Sequence, residues 1–214
     1  MDRIYRPQRY IYDFTRKIFL PGRDLLLGKM NLQPGERVLE VGCGTGRNLI
    51  ELSRLYPGVL LFGLDISEVM LELAREKTKS SRCAAVLARG SAENFSLWET
   101  FGLDRPFDRI FFSYSLSMIP DWDAALTSAG LALRPGGGLY VVDFGSLTGW
   151  PGGAGRLLRW WLGLFRVRPE PGVPARLRAW SEAGRGRLET LDILGGYAFF
   201  AGLTGFGSQV DRDS

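Results

Sequence analysis

The sequence predicts an α/β fold: a seven-stranded, mostly parallel sheet with helices on both faces and an antiparallel strand at its C-terminal end. Three observations carry this. Short apolar, β-branched runs alternate with stretches of helical spacing, the pattern of successive βαβ units. Pro-Gly and Gly-Gly pairs punctuate the alternation where one element must stop and the next begin. The last two strand-like runs follow one another across Gly195-Gly196 with no helix between them, which calls for a hairpin.

Taken in order, residues 37–42 (RVLEVG) follow the Pro34-Gly35 turn and form a buried strand. Residues 46–55 space Leu49, Leu52 and Leu55 three apart, a helix that Pro57-Gly58 stops. The run 59–64 (VLLFGL) is the second strand. Ser67 then caps a helix over 68–78, with Glu68 placed to meet the positive end of its dipole. Residues 84–88 and 107–113 are the third and fourth strands, and 122–132 is a helix. Pro135 and the glycines 136–138 are read as a turn into the fifth strand, 139–143. Residues 187–193 and 196–201 make the closing hairpin. The expected organisation is one domain over 1–214, with an N-terminal helical arm at 1–30 and a basic amphipathic insertion at about 145–186.

Composition narrows the chemistry. The 214 residues contain no histidine and two cysteines, Cys43 and Cys83. A histidine base, a Ser-His-Asp or Cys-His centre and a histidine-ligated metal are thereby excluded. Two separated cysteines make neither a disulfide framework nor a four-cysteine zinc site, so the expectation is a reducing, cytoplasmic setting and no metal. No apolar run reaches the roughly 20 residues that a membrane-spanning helix needs. The net charge of +4 is unevenly spread: residues 1–29 hold seven basic against three acidic groups, and residues 151–188 hold eight arginines against two glutamates. The rest of the chain is net acidic. Two basic segments in an otherwise acidic chain suggest attraction to an anionic surface.

The first strand-to-helix turn carries the strongest motif, Glu40-Val41-Gly42-Cys43-Gly44-Thr45-Gly46-Arg47-Asn48. Glycines there tolerate positive φ and let backbone approach a ligand closely. The dinucleotide fingerprint GxGxxG fails, because Arg47 stands three residues after Gly44. A carboxylate at the strand end, Glu40, repels a pyrophosphate and suits an ammonium or sulfonium. Asp65, at the tip of the second strand, stands where a ribose diol is gripped.

With these residues in hand, the sequence resembles the class I S-adenosylmethionine-dependent methyltransferases, which have a Rossmann-like fold. The resemblance implies S-adenosylmethionine as cofactor, S-adenosylhomocysteine as product, and no metal. It implies that Glu40, Gly42, Cys43, Gly44, Gly46 and Asn48 surround the methionine moiety, and that Asp65 binds ribose with Ile66 against adenine. Ser91, Ala92 and Glu93 match the adenine-contacting motif after the third strand, with Ser91 where family members usually have aspartate. Ser113 and Tyr114 match the wall shared by cofactor and substrate, Pro135-Gly136-Gly137 the turn before strand five, and GYAFFAG the reversed seventh strand.

A narrower resemblance lies in Tyr5–Arg23 (YRPQRYIYDFTRKIFLPGR) and Phe112–Trp122 (FSYSLSMIPDW), which look like the bacterial betaine-lipid N-methyltransferases. It implies methylation of the amine of a diacylglyceryl-homoserine lipid towards its trimethylated form, and an upstream lipid-synthesis enzyme that supplies the acceptor. Methyl transfer to an amine needs positioning and a dehydrated pocket rather than imidazole. Tyr12 and Tyr114 are the candidate catalytic residues, as aromatic faces for a fixed positive charge, with Tyr5, Tyr10 and Phe14 beside them in the arm. Within 156–166 (RLLRWWLGLFR), Arg156, Arg159 and Arg166 share one flank of a helix whose other faces carry Trp, Leu and Phe. That pattern fits a helix lying on an anionic membrane, at the inner face. The alternatives are a soluble methyltransferase of a quinone precursor or other small molecule, and an RNA-binding module. The tryptophan-rich face and the lack of an RNA-binding motif argue against nucleic acid.

Overall fold

The computed structural model describes residues 20–146 and 172–207. Tyr5, Tyr10, Tyr12, Phe14 and the 156–166 helix lie outside the described residues. The elements are α1 (Arg23–Lys29), β1 (Arg37–Val41), α2 (Arg47–Leu55), β2 (Leu60–Asp65), α3 (Glu68–Ser80), β3 (Ala85–Arg89), α4 (Leu97–Phe101), β4 (Phe107–Ser113), a 3₁₀ turn (Leu116–Met118), α5 (Trp122–Ala132), β5 (Leu133–Phe144), α6 (Gly172–Glu182), β6 (Arg187–Ile193) and β7 (Ala198–Phe206). The strands form a seven-stranded sheet in the order β3-β2-β1-β4-β5-β7-β6. The first five are parallel, and β7 runs antiparallel to both β5 and β6. This is the expected Rossmann-like sheet with its reversed strand.

Period-two alternation along the strands loads both faces. Val38 and Phe111 join the core on the side of α1, α2 and α3. Their neighbours Leu39, Ile110 and Phe112 join the core under α5 and α6, with Leu126, Ala129, Leu177 and Trp180. Ser67 caps α3 by accepting from the Met70 N–H at 3.4 Å, and Asp121 caps α5 by accepting from the Ala124 N–H at 2.9 Å. The fold thus sets β1 and β4 side by side at its centre, with the carboxyl tips of β1, β2, β3 and β4 along one edge.

One expectation needs correction. Pro135 and the glycines after it do not end a turn ahead of a short strand: β5 runs from Leu133 to Phe144. Its register against β4 jumps from Phe107↔Leu133 to Arg109↔Gly138, so residues 134–137 bulge out of the ladder. Gly136 at φ +76° supplies the left-handed step. Proline and glycine mark the bulge here rather than the strand's start.

Candidate active site

A cleft opens at the carboxyl edge, lined by Gly42 and Gly44 from the first turn and by Asp65, Ile66 and Met70 after β2. Gly90, Ser91, Ala92 and Glu93 after β3, and Tyr114, Ser115, Met118, Ile119 and Pro120 after β4, complete it. Four consecutive strand tips therefore contribute to one cavity, as a parallel sheet with a crossing point at β1/β4 allows.

The first turn is built by backbone geometry. Gly42, Gly44 and Gly46 all take positive φ, at +75°, +53° and +72°. Gly42 N and Cys43 N both donate to the Leu64 carbonyl, at 2.8 and 2.9 Å, which ties the turn to β2. Asp65 completes the tie: Oδ2 accepts from the Gly44 N–H at 2.7 Å and Oδ1 from the Ser67 N–H at 2.9 Å. One carboxylate thus shapes the glycine turn and the start of α3 while its group lines the cleft.

The remaining candidates divide between the cleft and its supports. Asp65, Ile66, Ser91, Ala92, Glu93, Tyr114, Gly42 and Gly44 line the cleft. Glu40, Cys43, Gly46, Asn48 and Ser113 are set behind that lining. Glu40 is 1% exposed, and Asn48 Nδ2 donates to its Oε1 at 2.6 Å, so Asn48 fixes the buried carboxylate beneath the turn. The Cys43 sulfur packs over β2, within 2.8 Å of where a Cβ on Gly63 would stand. Burial first, then Glu40 and Asp65, push its thiol well above the ordinary range, so it stays protonated. Gly46 lets the turn close on α3, 3.3 Å from the Ala74 methyl for an added Cβ.

At the adenine-motif position, Ser91 Oγ donates to Glu93 Oε2 at 3.1 Å, and Glu93 Oε1 accepts from the Asp121 N–H at 3.2 Å. A carboxylate is therefore present beside Ser91, two residues along from where the family pattern has one.

Sequence reasoning missed Met70, Met118, Ile119 and Pro120 as cleft residues, and it missed Asp143. The signal for the last three was their place directly after the β4 tip. Tyr114 sits there at φ +55°, its ring stacked edge-on against Phe144 at 4.8 Å and its hydroxyl donating to the Pro21 carbonyl at 2.5 Å. Burial holds its phenol above the ordinary value of 10. Tyr114 therefore offers a ring face and a fixed donor rather than a base.

Asp143 is 2% exposed at the end of β5; Oδ2 accepts from the Ser117 N–H at 3.0 Å and Oδ1 from the Phe144 N–H at 2.8 Å. It pins the 3₁₀ turn that carries the cleft wall. Burial raises its carboxyl from 3.8 to about 6, against the lowering effect of those hydrogen bonds. Between about pH 4 and 6 the folded chain keeps a proton that the unfolded chain has lost. Stability therefore falls as pH rises through that window, by about 3 kcal/mol from this group. Asp143→Asn is expected to remove that slope in urea denaturation compared at pH 4.5 and 7; an unaltered slope would assign it to another group.

The donor set suits the cofactor implied by the sequence. A buried carboxylate lies beneath a glycine turn, a second marks the β2 tip, and apolar Ile66 and Met70 line the cleft beyond it. These match a sulfonium with an amino-acid tail, a ribose diol and a purine, in that order along the edge. Residues 38–137 match the family described as "Methyltransferase domain". This stretch, a little under half of the chain, thus resembles a methyltransferase domain.

Among curated proteins, the chain is 32% identical over 126 residues to the demethylmenaquinone methyltransferase of Geobacillus sp. (strain WCH70), covering 58% of this chain and 52% of that one. It is 30% identical over 138 residues to that of Corynebacterium glutamicum (strain R), covering 62% and 54%. The chain thus spans about half the length of the curated relatives it matches. Its fold is similar to that of a SAM-dependent methyltransferase from Aquifex aeolicus, with a TM-score of 0.64, 19% identity, and coverage of 89% of this chain and 93% of that one. The sheet meets the fold expected from the sequence, and the match over residues 38–137 agrees with the expected enzyme class. Among the described residues no group of three or more Cys, Asp or Glu side chains could hold a metal, and no helix is long and apolar enough to cross a membrane.

Proposed function

We propose that this chain transfers methyl groups from S-adenosylmethionine to the amine of a diacylglyceryl-homoserine lipid, towards the trimethylated betaine form. The observation that carries the reading is the wall of the cleft. Tyr114, Ser115, Met118, Ile119 and Pro120 line it, and they belong to the 112–122 stretch that bears the betaine-lipid resemblance. The charge of the lining supports the same reading. Its only ionisable acids and bases of high charge are Asp65 and Glu93, both anionic, and Glu40 lies buried behind the turn. A cleft whose charged lining residues are both acidic favours an acceptor that gains positive charge on methylation.

The cofactor supplies an electrophilic methyl on a sulfonium. With S-adenosylmethionine held by the Gly42–Gly46 turn and Asp65, transfer would form a carbon–nitrogen bond as the carbon–sulfur bond breaks and leave S-adenosylhomocysteine, the acceptor's ammonium having lost its proton to water before the attack. The chain's residues orient this exchange. The turn at Gly42–Gly46 and Asp65 fix one partner, the Tyr114–Pro120 wall fixes the other, and the apolar lining keeps water from the line of attack. The arginine-rich segment 151–188 supports work at an anionic membrane's inner face, where the lipid acceptor resides.

The curated relatives favour a second reading, methylation of a quinone precursor. Expression in a host that makes diacylglyceryl-homoserine, followed by lipid mass spectrometry, separates the two. Mono-, di- and trimethylated headgroups are expected. Their absence, together with rescue of a menaquinone-methylation mutant, would establish the second reading instead.

A further inference from the structure

The tip of β5 stands behind the cleft rather than in it, yet it holds the cleft's wall at three points. The Val142 carbonyl accepts from the Tyr114 N–H at 2.8 Å. Asp143 Oδ2 accepts from the Ser117 N–H at 3.0 Å. The Phe144 ring meets the Tyr114 ring edge-on at 4.8 Å. Four residues beyond Ser117, the Asp121 N–H donates to Glu93 Oε1 at 3.2 Å. Between these two carboxylates, Met118 and Ile119 direct their N–H groups back into the turn, to the Ser115 and Leu116 carbonyls. Met118, Ile119 and Pro120 line the cleft, so their place in it is set from the two ends, by Asp143 and by Glu93.

Asp143 is the costly member of this set. It is buried, and burial disfavours its ionised form, so at neutral pH the fold carries a charge that lowers its stability. The groups that answer the charge are the backbone N–H groups of Ser117 and Phe144. A neutral amide in its place would offer one oxygen to two donors and turn an N–H against the other. The carboxylate accepts from both, through bonds stronger than those of a neutral pair. Tyr114 needs a firm frame, since it is a non-glycine residue at φ +55°, a conformation that persists where its surroundings over-determine it. We propose that Asp143 is a positioning residue for the methyl acceptor: it fixes the Leu116–Met118 turn, and with it the Met118–Pro120 wall, against the end of β5. This rests on the reading above that the Tyr114–Pro120 wall meets the acceptor, and adds to it a residue that touches neither partner. The buried charge is kept for the acceptor's placement, against the interest of stability. In-line transfer tolerates little error in that placement, and a shift of about 1 Å in a supporting element lowers the rate by as much as about 100-fold.

The test uses the full chain at neutral pH and two acceptors, a short-chain diacylglyceryl-homoserine and a short-chain demethylmenaquinone. Rates are read by radiolabelled methyl transfer from S-adenosylmethionine. For whichever acceptor the wild-type chain methylates, Asp143→Asn is expected to lower kcat/KM about tenfold. Its affinity for S-adenosylmethionine by calorimetry is expected to stay within about twofold of wild type, and its Tm not to fall, because a buried charge has been removed. A residue that only supported the fold would lower Tm and weaken both partners together. Unchanged kcat/KM in Asp143→Asn would therefore overturn the proposal, as would equal losses for acceptor and cofactor. If Asp143→Asn does not fold, Asp143→Glu, which keeps the charge and moves it by one methylene, goes through the same assays. The same loss confined to the acceptor is expected there, and unchanged acceptor kinetics would overturn the proposal. Transfer to the demethylmenaquinone and not to the lipid would overturn the lipid reading alone, with Asp143 then judged on the quinone; transfer to neither would overturn both.

Discussion

Replacing Asp65 by alanine is expected to weaken S-adenosylmethionine binding by about 100-fold or more in calorimetry. The carboxylate has two structural duties besides its place in the cleft. It accepts from Gly44 N at 2.7 Å and from Ser67 N at 2.9 Å, so it holds the glycine turn against the start of α3. Hydrogen bonds to an ionised group contribute roughly 1.5–3 kcal/mol each, and the expected ribose contact would add another of the same kind. Losing one such contact with the ligand, in a turn that has also slackened, gives at least two orders of magnitude in affinity. Asp65→Asn keeps one acceptor and is expected to fall between. Unchanged affinity in the alanine variant would remove the β2 tip from the cofactor site.

The second large effect is expected at Gly42. A Cβ there would stand 2.5 Å from the Ser115 Cβ and 3.0 Å from its Oγ, on a residue held at φ +75°. Ser115 cannot withdraw freely, because its hydroxyl donates to the Val41 carbonyl at 2.8 Å. Gly42→Ala therefore combines left-handed strain of about 1–2 kcal/mol with overpacking of about 1–3 kcal/mol. It is expected to lower Tm and to cut cofactor affinity at least tenfold. Adding Ser115→Gly removes the clash but not the strain, so the double variant is expected to recover part of the stability. No recovery would mean that the contact with Ser115 is not the cause.

How much of this was legible in the sequence depended on whether a signal was local. The β4 bounds 107–113 and the α5 bounds 122–132 are those of the sequence reading, because each run is closed at both ends by its own residues, Asp121 among them. Asp65 and the glycine turn were legible because a strand tip followed by glycines has one geometric use. The β5 bulge was not: proline and glycine look alike at a turn and in a bulge, and the ladder with β4 decides between them. Helix α4, five residues long, has too few turns to show a period. Asp143 reads in the sequence as a polar residue ending a strand. Its burial comes from the Leu116–Met118 turn folding across the end of β5, a contact 26 residues distant in the chain.

The sheet order also has a consequence for how the protein is made. β7 lies between β5 and β6, so an inner strand is the last of the seven described strands to leave the ribosome. Some fifty residues separate the end of β5 from the start of β7. At roughly 5–20 residues per second, the open side of β5 waits several seconds for its partner. Leu139, Val141 and Val142, fully buried in the finished fold, stand on that waiting strand. The nascent chain thus has a vulnerable interval in which an unpaired, strongly apolar edge is available to any other strand. Its yield in a host will depend on how well that interval is protected.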